Sequence, residues 1–371
     1  MKKLAIKKRY SVPAVICLLM VLLNVLARAS RGFSDFYAEK IFHWITEIFS
    51  RISGLFPFSA GEMLIILGLL LVLIGVPAFI LLMIFGRKLR KKTLGISSLI
   101  LLYVFTFILT TETLNCFLMY QCTPMADKFL GGSRGHTRTE LTELYSMLIA
   151  DANELALQVP RDENNRFYLT ADVNEEAKKA MKKAAGKFPQ LRGYYPDAKP
   201  IQFSYFMSQS HLSGIYFPFS LESNYNDDMC RTNLPTTICH EYSHLKGFIQ
   251  EDEANFIAYY AARECSGNVE FQYAGCLDAL EYVHNQIYEK NISSAFYLTE
   301  NISDEVRRDW FRFLPDNYWE ENRKKEIIPT EKVDSVSTKA LETNIKMNGR
   351  EEGIETYSLV VELLLDHYFA A

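Results

Sequence analysis

His240 and His244 lie four residues apart, one helical turn along a common face, where both imidazoles can reach a single metal ion. Glu241, beside the first of them, then points at the open side of that ion, where it can hold a water. Shortly afterwards Glu251-Asp252-Glu253-Ala254-Asn255 offers a carboxylate at the start of another helix and an amide four residues on. Two imidazoles, one carboxylate and an open position describe a catalytic zinc site. The expected roles are His240, His244 and Glu251 as ligands of one Zn2+ per chain, Glu241 as general base, and Asn255 as support behind a ligand. Glu253 is the alternative ligand if the turn runs one notch differently. Acidic residues also suit a helix N-terminus on electrostatic grounds alone.

The surrounding residues can position such a site. Asn233 and Pro235 read as a helix start, with Pro in the first turn where its missing N–H costs nothing. Thr236, Thr237, Ile238 and Cys239 are small or apolar, so this helix should be partly buried. Gly247 reads as its left-handed stop, and a short turn over Phe248–Gln250 leads into the acidic helix, packed through Phe256, Ile257, Tyr259 and Tyr260. The arrangement resembles the gluzincin metallopeptidases, in which HExxH on one helix is completed by Glu on the next. That resemblance implies the same ligand set, with Asn255 where Asp is commoner. A neutral amide adds no charge and should raise ligand basicity less. The metzincin pattern is also close, but Gln250 stands where it needs His, and Gln is a poor zinc ligand.

The first 114 residues read as a membrane domain. Residues 11–27, 63–85 and 94–110 are apolar runs, the second plainly long enough to cross a bilayer. Lys2, Lys3, Lys7, Lys8 and Arg9 precede the first run, and Arg87-Lys88-Leu89-Arg90-Lys91-Lys92 separates the other two. Basic clusters belong on the cytoplasmic side, which puts the loop from Ser30 to Glu62 and everything after Thr111 outside. Ala27-Arg28-Ala29 also mimics a signal-peptide cleavage site, which would leave the later topology unchanged. Within the loop, Phe36, Tyr37, Ile41, Trp44, Ile45, Ile48, Phe49 and Ile52 recur at helical spacing. Such a stripe suits a helix lying in the membrane surface or one packed on the soluble domain. His43 reads as an interfacial residue without chemistry. No apolar run of spanning length surrounds His240, and Asp227, Asp228, Arg231 and Lys246 flank it, so the site lies outside the bilayer.

Residues 115–371 read as one soluble domain, metallopeptidase-like, α+β and mainly helical. Gly131, Gly132 and Gly135 introduce helical periodicity from Thr139 to Gln158, and further helices are expected at Val173–Lys187, Phe271–Tyr288 and Thr356–Tyr368. Ile201, Phe203, Tyr205, Ile215, Tyr216 and Phe217 read as strand, with Ser213-Gly214 as a turn. Gly214, Ile215 and Tyr216 are the candidate edge for pairing an extended substrate, with a core strand as the bland reading. Lys324–Thr343 reads as a charged linker.

Taken in order, Leu114–Tyr120, Ser213–Phe219, Cys239–His244, Glu251–Phe256, Phe271–Gly275 and Asn348–Gly353 resemble the bacterial domain-of-unknown-function family 3810. Its members are multi-pass membrane proteins with a gluzincin-like domain. The resemblance implies three N-terminal transmembrane helices followed by an extracytoplasmic zincin-like domain, and it brings no substrate. Tyr273, within one of these motifs, is the favoured oxyanion donor, with His284 as the other candidate.

The net charge of −4 and the lack of a basic, aromatic-interleaved stripe speak against nucleic acid, and no phosphate-binding glycine loop is present. Cys17 lies in the first span and six further cysteines lie beyond it; Cys265–Cys276 or Cys116–Cys122 could pair, though no CxxC spacing indicates it. The expected partners are the lipid bilayer and a peptide or protein outside the cytoplasm. A non-catalytic zinc sensor or scaffold, or an amidase acting on a cell-wall component, is the competing reading. The sensor has no need of Glu241. Protease added to intact spheroplasts should digest the C-terminal domain; protection until the membrane is broken would place the site in the cytoplasm.

Overall fold

The computed structural model describes residues 2–132, 134–347 and 357–369. Helix α1 (Lys2–Ala29) leads through α2 (Arg31–Phe36), a π-helical turn at Tyr37–Phe42 and α3 (His43–Ser53) to α4 (Ala60–Phe85) and α5 (Arg90–Glu112). The membrane-length apolar helices span Lys8–Ala29, Ala60–Phe85 and Arg90–Gln121. Each extends past the apolar run expected for it, because a helix continues as far as its caps allow. The Ser59 hydroxyl, for instance, accepts the Glu62 N–H at 3.0 Å and starts α4 before the apolar residues begin. Helices α1 and α5 lie side by side, and the Asn24 side chain of α1 donates to Thr113 Oγ1, just past the end of α5, at 2.8 Å.

The rest is built from α6 (Met125–Phe129), α7 (Arg138–Ala156), α8 (Val173–Ala184), β1 (Lys199–Ile201), α9 (Ser204–Gln209), β2 (Gly214–Phe217) and β3 (Glu222–Asn226). There follow α10 (Leu234–Leu245), α11 (Glu251–Tyr259), α12 (Val269–Glu289), α13 (Asp304–Asp309), α14 (Tyr318–Glu321), α15 (Thr330–Met347) and α16 (Tyr357–Phe369). The protein is mainly helical, with one mixed sheet in the order β1-β3-β2. β1 runs parallel to β3, and β2 pairs antiparallel with it, Gly214 opposite Tyr225 and Phe217 opposite Glu222. β2 is therefore an edge strand. Val360, Val361, Leu364 and Leu365 of α16 are buried as their spacing requires.

Several expectations are corrected. Phe203 and Tyr205 leave the strand after Ile201: Ser204 turns the chain by donating to Ile201 O at 2.6 Å, and Tyr205 packs on Tyr318 and Trp319. Ser213-Gly214 is no turn, since Gly214 begins β2. Most of Lys324–Thr343 is helix α15, whose Glu, Lys, Ala and Leu are good helix formers. Gln209 anchors its start by donating to Ile328 O at 2.8 Å. All seven cysteines are free. The Asn348–Gly353 motif lies outside the described residues.

Residues 31–62 serve both halves of the chain. Trp44 is 64 % exposed, and Ile48, Phe49 and Ile52 are also exposed, so the apolar stripe of α3 faces outward. The opposite face, with Thr46, Ser50 and Ser53, is buried against the remaining domain. The core continues across residue 114: Ala27, Tyr37, Ala38 and Phe42 belong to one cluster with Leu118, Leu245 and Phe256.

Carboxylates fasten the sheet to the second membrane-length helix. Glu222 of β3 accepts the N–H groups of Ala60 and Gly61, at 3.2 and 2.9 Å, and so caps the α4 N-terminus, whose dipole favours a negative charge. Its other partners are Ser220 and the buried Lys199, which also donates to Ser53 O at 2.7 Å. In return Glu62 of α4 accepts the N–H groups of Gln202 and Phe203 at 3.1 and 2.9 Å. Phe217 lies so close to Gly61 that an added Cβ there would meet its ring at 2.4 Å.

Glu222→Ala would leave Lys199 charged and buried without its partner. The expected cost is about 3–5 kcal/mol, read from the denaturation midpoint of the detergent-purified chain, and Lys199→Met should recover much of it. A loss below ~1 kcal/mol would show that the clasp contributes little.

Candidate metal centre

Helix α10 begins at Leu234 with Pro235 in its first turn, and every residue from Leu234 to Leu245 except His240 is buried. Packing therefore fixes the backbone while His240 is left facing a cleft. Gly247 takes φ +91°, the left-handed stop, and Phe248–Gln250 return the chain into α11. This turn brings Glu251 over both imidazoles: its carboxylate oxygens lie 3.2 Å from His240 Nε2 and 3.7 Å from His244 Nε2. The ligand atoms of His240, His244 and Glu251 all fall within 4.8 Å of one another. A tetrahedral ion with bonds of ~2.1 Å needs donors about 3.4 Å apart, so the set fits a metal ion with little movement.

The tautomer of His244 follows from its neighbour. Nδ1 lies 2.8 Å from the Phe248 carbonyl, which can only accept, so Nδ1 carries the proton and Nε2 presents its lone pair to the cluster. Burial disfavours the His244 imidazolium, but Glu251 outweighs it and the pKa is pushed up to about 9. Burial likewise opposes the Glu251 carboxylate, yet His244 and His240 hold it well below the usual range.

Glu241 is 4 % exposed, and burial pushes its pKa above the ordinary glutamate value, against the pull of His240 and His244. It accepts the backbone N–H of Tyr216, and Oε2 is buried without a hydrogen-bond partner. Gly214 makes this placement possible, since a Cβ there would sit 2.4 Å from Glu241 Oε1. The carboxylate thus lies between the metal cluster and β2. A cavity of about 510 Å³ opens in front of it, lined by the whole stretch from His211 to Phe219 together with His240, Glu241, His244 and Glu251. Gly214, Ile215 and Tyr216 accordingly line it on the side away from β3.

Other predicted residues stand elsewhere or act differently. Tyr273 is buried away from the cavity, donating to Asp309 Oδ2 at 2.8 Å and packing edge-on against Phe167. His284 pairs with the Tyr145 hydroxyl at 2.7 Å and does not reach the cavity either. Glu253, the alternative ligand, accepts the Met125 N–H at 2.7 Å and points away from the cluster. Asn255 lines the cavity, but among the described residues it makes no hydrogen bond to either imidazole. The Phe248 carbonyl takes that place for His244.

Sequence reasoning chose helix α12 and the wrong face of it. Asp278, five residues beyond Tyr273 and so roughly 140° around the axis, lines the cavity with Tyr282. Burial pushes the Asp278 pKa up to about 6, opposed by a hydrogen bond with Thr236 and by the nearby His240. The i, i+4 spacing of Asp278 and Tyr282 was the only signal available. His211, Glu112, Cys116 and Tyr120 also line the cavity and were missed.

The family described as "Protein of unknown function (DUF3810)" matches residues 37–365. No curated protein and no solved structure matches the chain.

Because Glu251 favours the protonated form of His244, a metal ion entering the site at neutral pH should displace a proton. Calorimetric titration at pH 7 in buffers of different ionisation enthalpy should show about one proton released per ion. Affinity should rise with pH by up to about tenfold per unit while His244 is protonated, and level off once it is neutral. Glu251→Ala should abolish tight binding, whereas Glu253→Ala should leave it intact. The reverse pattern would mean that Glu253 is the ligand.

Proposed function

The chain belongs to the DUF3810 family, whose description assigns no activity, and from the site itself we propose that it is a membrane-anchored zinc-dependent hydrolase. The proposed reaction is peptide-bond hydrolysis in exported or envelope proteins. One observation carries the reading: a buried, unpartnered Glu241 oxygen lies between a His-His-Glu metal cluster and an edge strand. A site that only bound metal would have no use for that carboxylate.

Zinc, when bound, would polarise a water and the scissile carbonyl. Glu241 Oε2, buried and unpartnered, would accept a proton from the attacking water and hand it to the leaving nitrogen. The Phe248 carbonyl holds His244 in the tautomer that leaves Nε2 free to act as a ligand. The edge of β2 offers backbone groups for an extended chain, which favours a peptide over a compact wall amide. Tyr282 and His211, which line the cavity, are the proposed oxyanion donors in place of Tyr273 and His284. The basic clusters before the first apolar run and between the second and third support a site outside the cytoplasm.

Glu241→Gln should keep one zinc per chain, measured by metal analysis, and lower kcat by about 10²–10⁴. Gly214→Ala should do much the same by pushing Glu241 aside. His240→Ala should lose the metal; stoichiometric zinc retained by that variant would overturn the ligand assignment.

A further inference from the structure

The cavity and the membrane-length helices share a wall. Glu112, the last residue of α5, lines the cavity, as do Cys116 and Tyr120 just beyond it. β2 runs down this wall. At its upper end Gly214 touches Glu241, and at its lower end Phe217 packs on Gly61 in the first turn of α4. Two residues later the Phe219 ring lies 5.7 Å from that of Phe107, within α5. From Gly214 to Phe217 is three residue steps, about 10 Å of extended chain. Asn115 fixes the lower end by donating to Pro218 O at 2.7 Å, and Tyr216 donates back to Asn115 O at 3.1 Å. The exposed rings of Trp44, Phe56 and Phe58, which precede α4, suit the same interfacial level.

An extended chain paired with β2 beside Glu241 therefore meets the bilayer boundary within three or four residues. Resting on the hydrolase reading above, we infer that the substrate is a polypeptide anchored in the same bilayer, engaged a few residues from the end of its own membrane segment. A soluble peptide would forgo the half of the cleft that abuts the membrane. An anchored chain arrives already aligned with β2, its position along the strand set by the length between anchor and reacting bond.

The test reconstitutes the full chain in phosphatidylethanolamine/phosphatidylglycerol vesicles. The probe is an extended ten-residue peptide bearing a benzophenone, either free or joined to one apolar transmembrane helix through spacers of two, five or fifteen residues. Cross-linking is measured on Glu241→Gln and on wild type held metal-free by chelation, so that a misfolded variant cannot decide the result. Adducts are mapped by mass spectrometry. The expected yield at Ile215–Phe219 is at least tenfold higher with the two- or five-residue spacer than with the fifteen-residue spacer, whose local concentration is comparable. Equal yields at all spacers, equal labelling by the free peptide, or no adduct in the cleft would overturn the inference. Spacer-dependent adducts with no cleavage by the zinc-loaded wild type would support the anchored partner and count against the peptidase reading instead.

Discussion

Glu222 joins three parts of the molecule through one carboxylate. It sits on the central strand, caps the N-terminus of α4 and pairs with Lys199, which in turn holds the end of α3. A charge buried this deeply is tolerable only with nearly all its acceptor positions filled, and here they are filled by two backbone N–H groups, a hydroxyl and an ammonium. Because β2 is aligned by β3, and Gly214 of β2 flanks Glu241, the position of the Glu241 carboxylate depends on this junction. Lys246, two residues past His244, is tied to Glu47 of α3 and to the Tyr194 carbonyl, so α10 is fixed to the same surface layer from its other end.

The electrostatics of the cleft follow a simple division. Glu251 lies against both imidazoles and is held ionised by them, whereas burial pushes Glu241 toward the neutral form against the pull of the same two imidazoles. Two glutamates within one cluster thus acquire different proton affinities from their surroundings, which is what separate ligand and base roles require. Asp278 adds a third environment, raised by burial and set beside His240.

What could be read from the sequence was whatever local spacing determines. His240 and His244 meet because they are one turn apart, and Glu251 joins them across a turn of a few residues whose Gly247 reveals its geometry. The three apolar helices were legible because lipid constrains composition over a whole segment. β3 was not, since Glu222, Ser223, Asn224 and Asn226 are polar and yet buried, so no alternation marks the strand. Their side chains are used for tertiary bonds: Glu222 for α4, Asn226 for Ser208 and Leu212. Tyr273 and Asp278 show the same limit on one helix, because which face of α12 meets the cleft is decided by α7 and α10 packed against it. Nor does spacing reveal that Glu253 accepts the N–H of Met125, far away in the sequence.

The reciprocal capping between Glu62, Glu222 and the start of α4 also bears on biogenesis. β2 takes its alignment from β3, and β3 is clasped to the first turn of α4, so the sheet and that apolar helix must come together before Gly214 can settle against Glu241. A chain in which α4 is not yet in place keeps helix α10 but lacks the frame that brings Gly214 to Glu241. Maturation of the cleft is thereby tied to the placement of an apolar helix of membrane-spanning length.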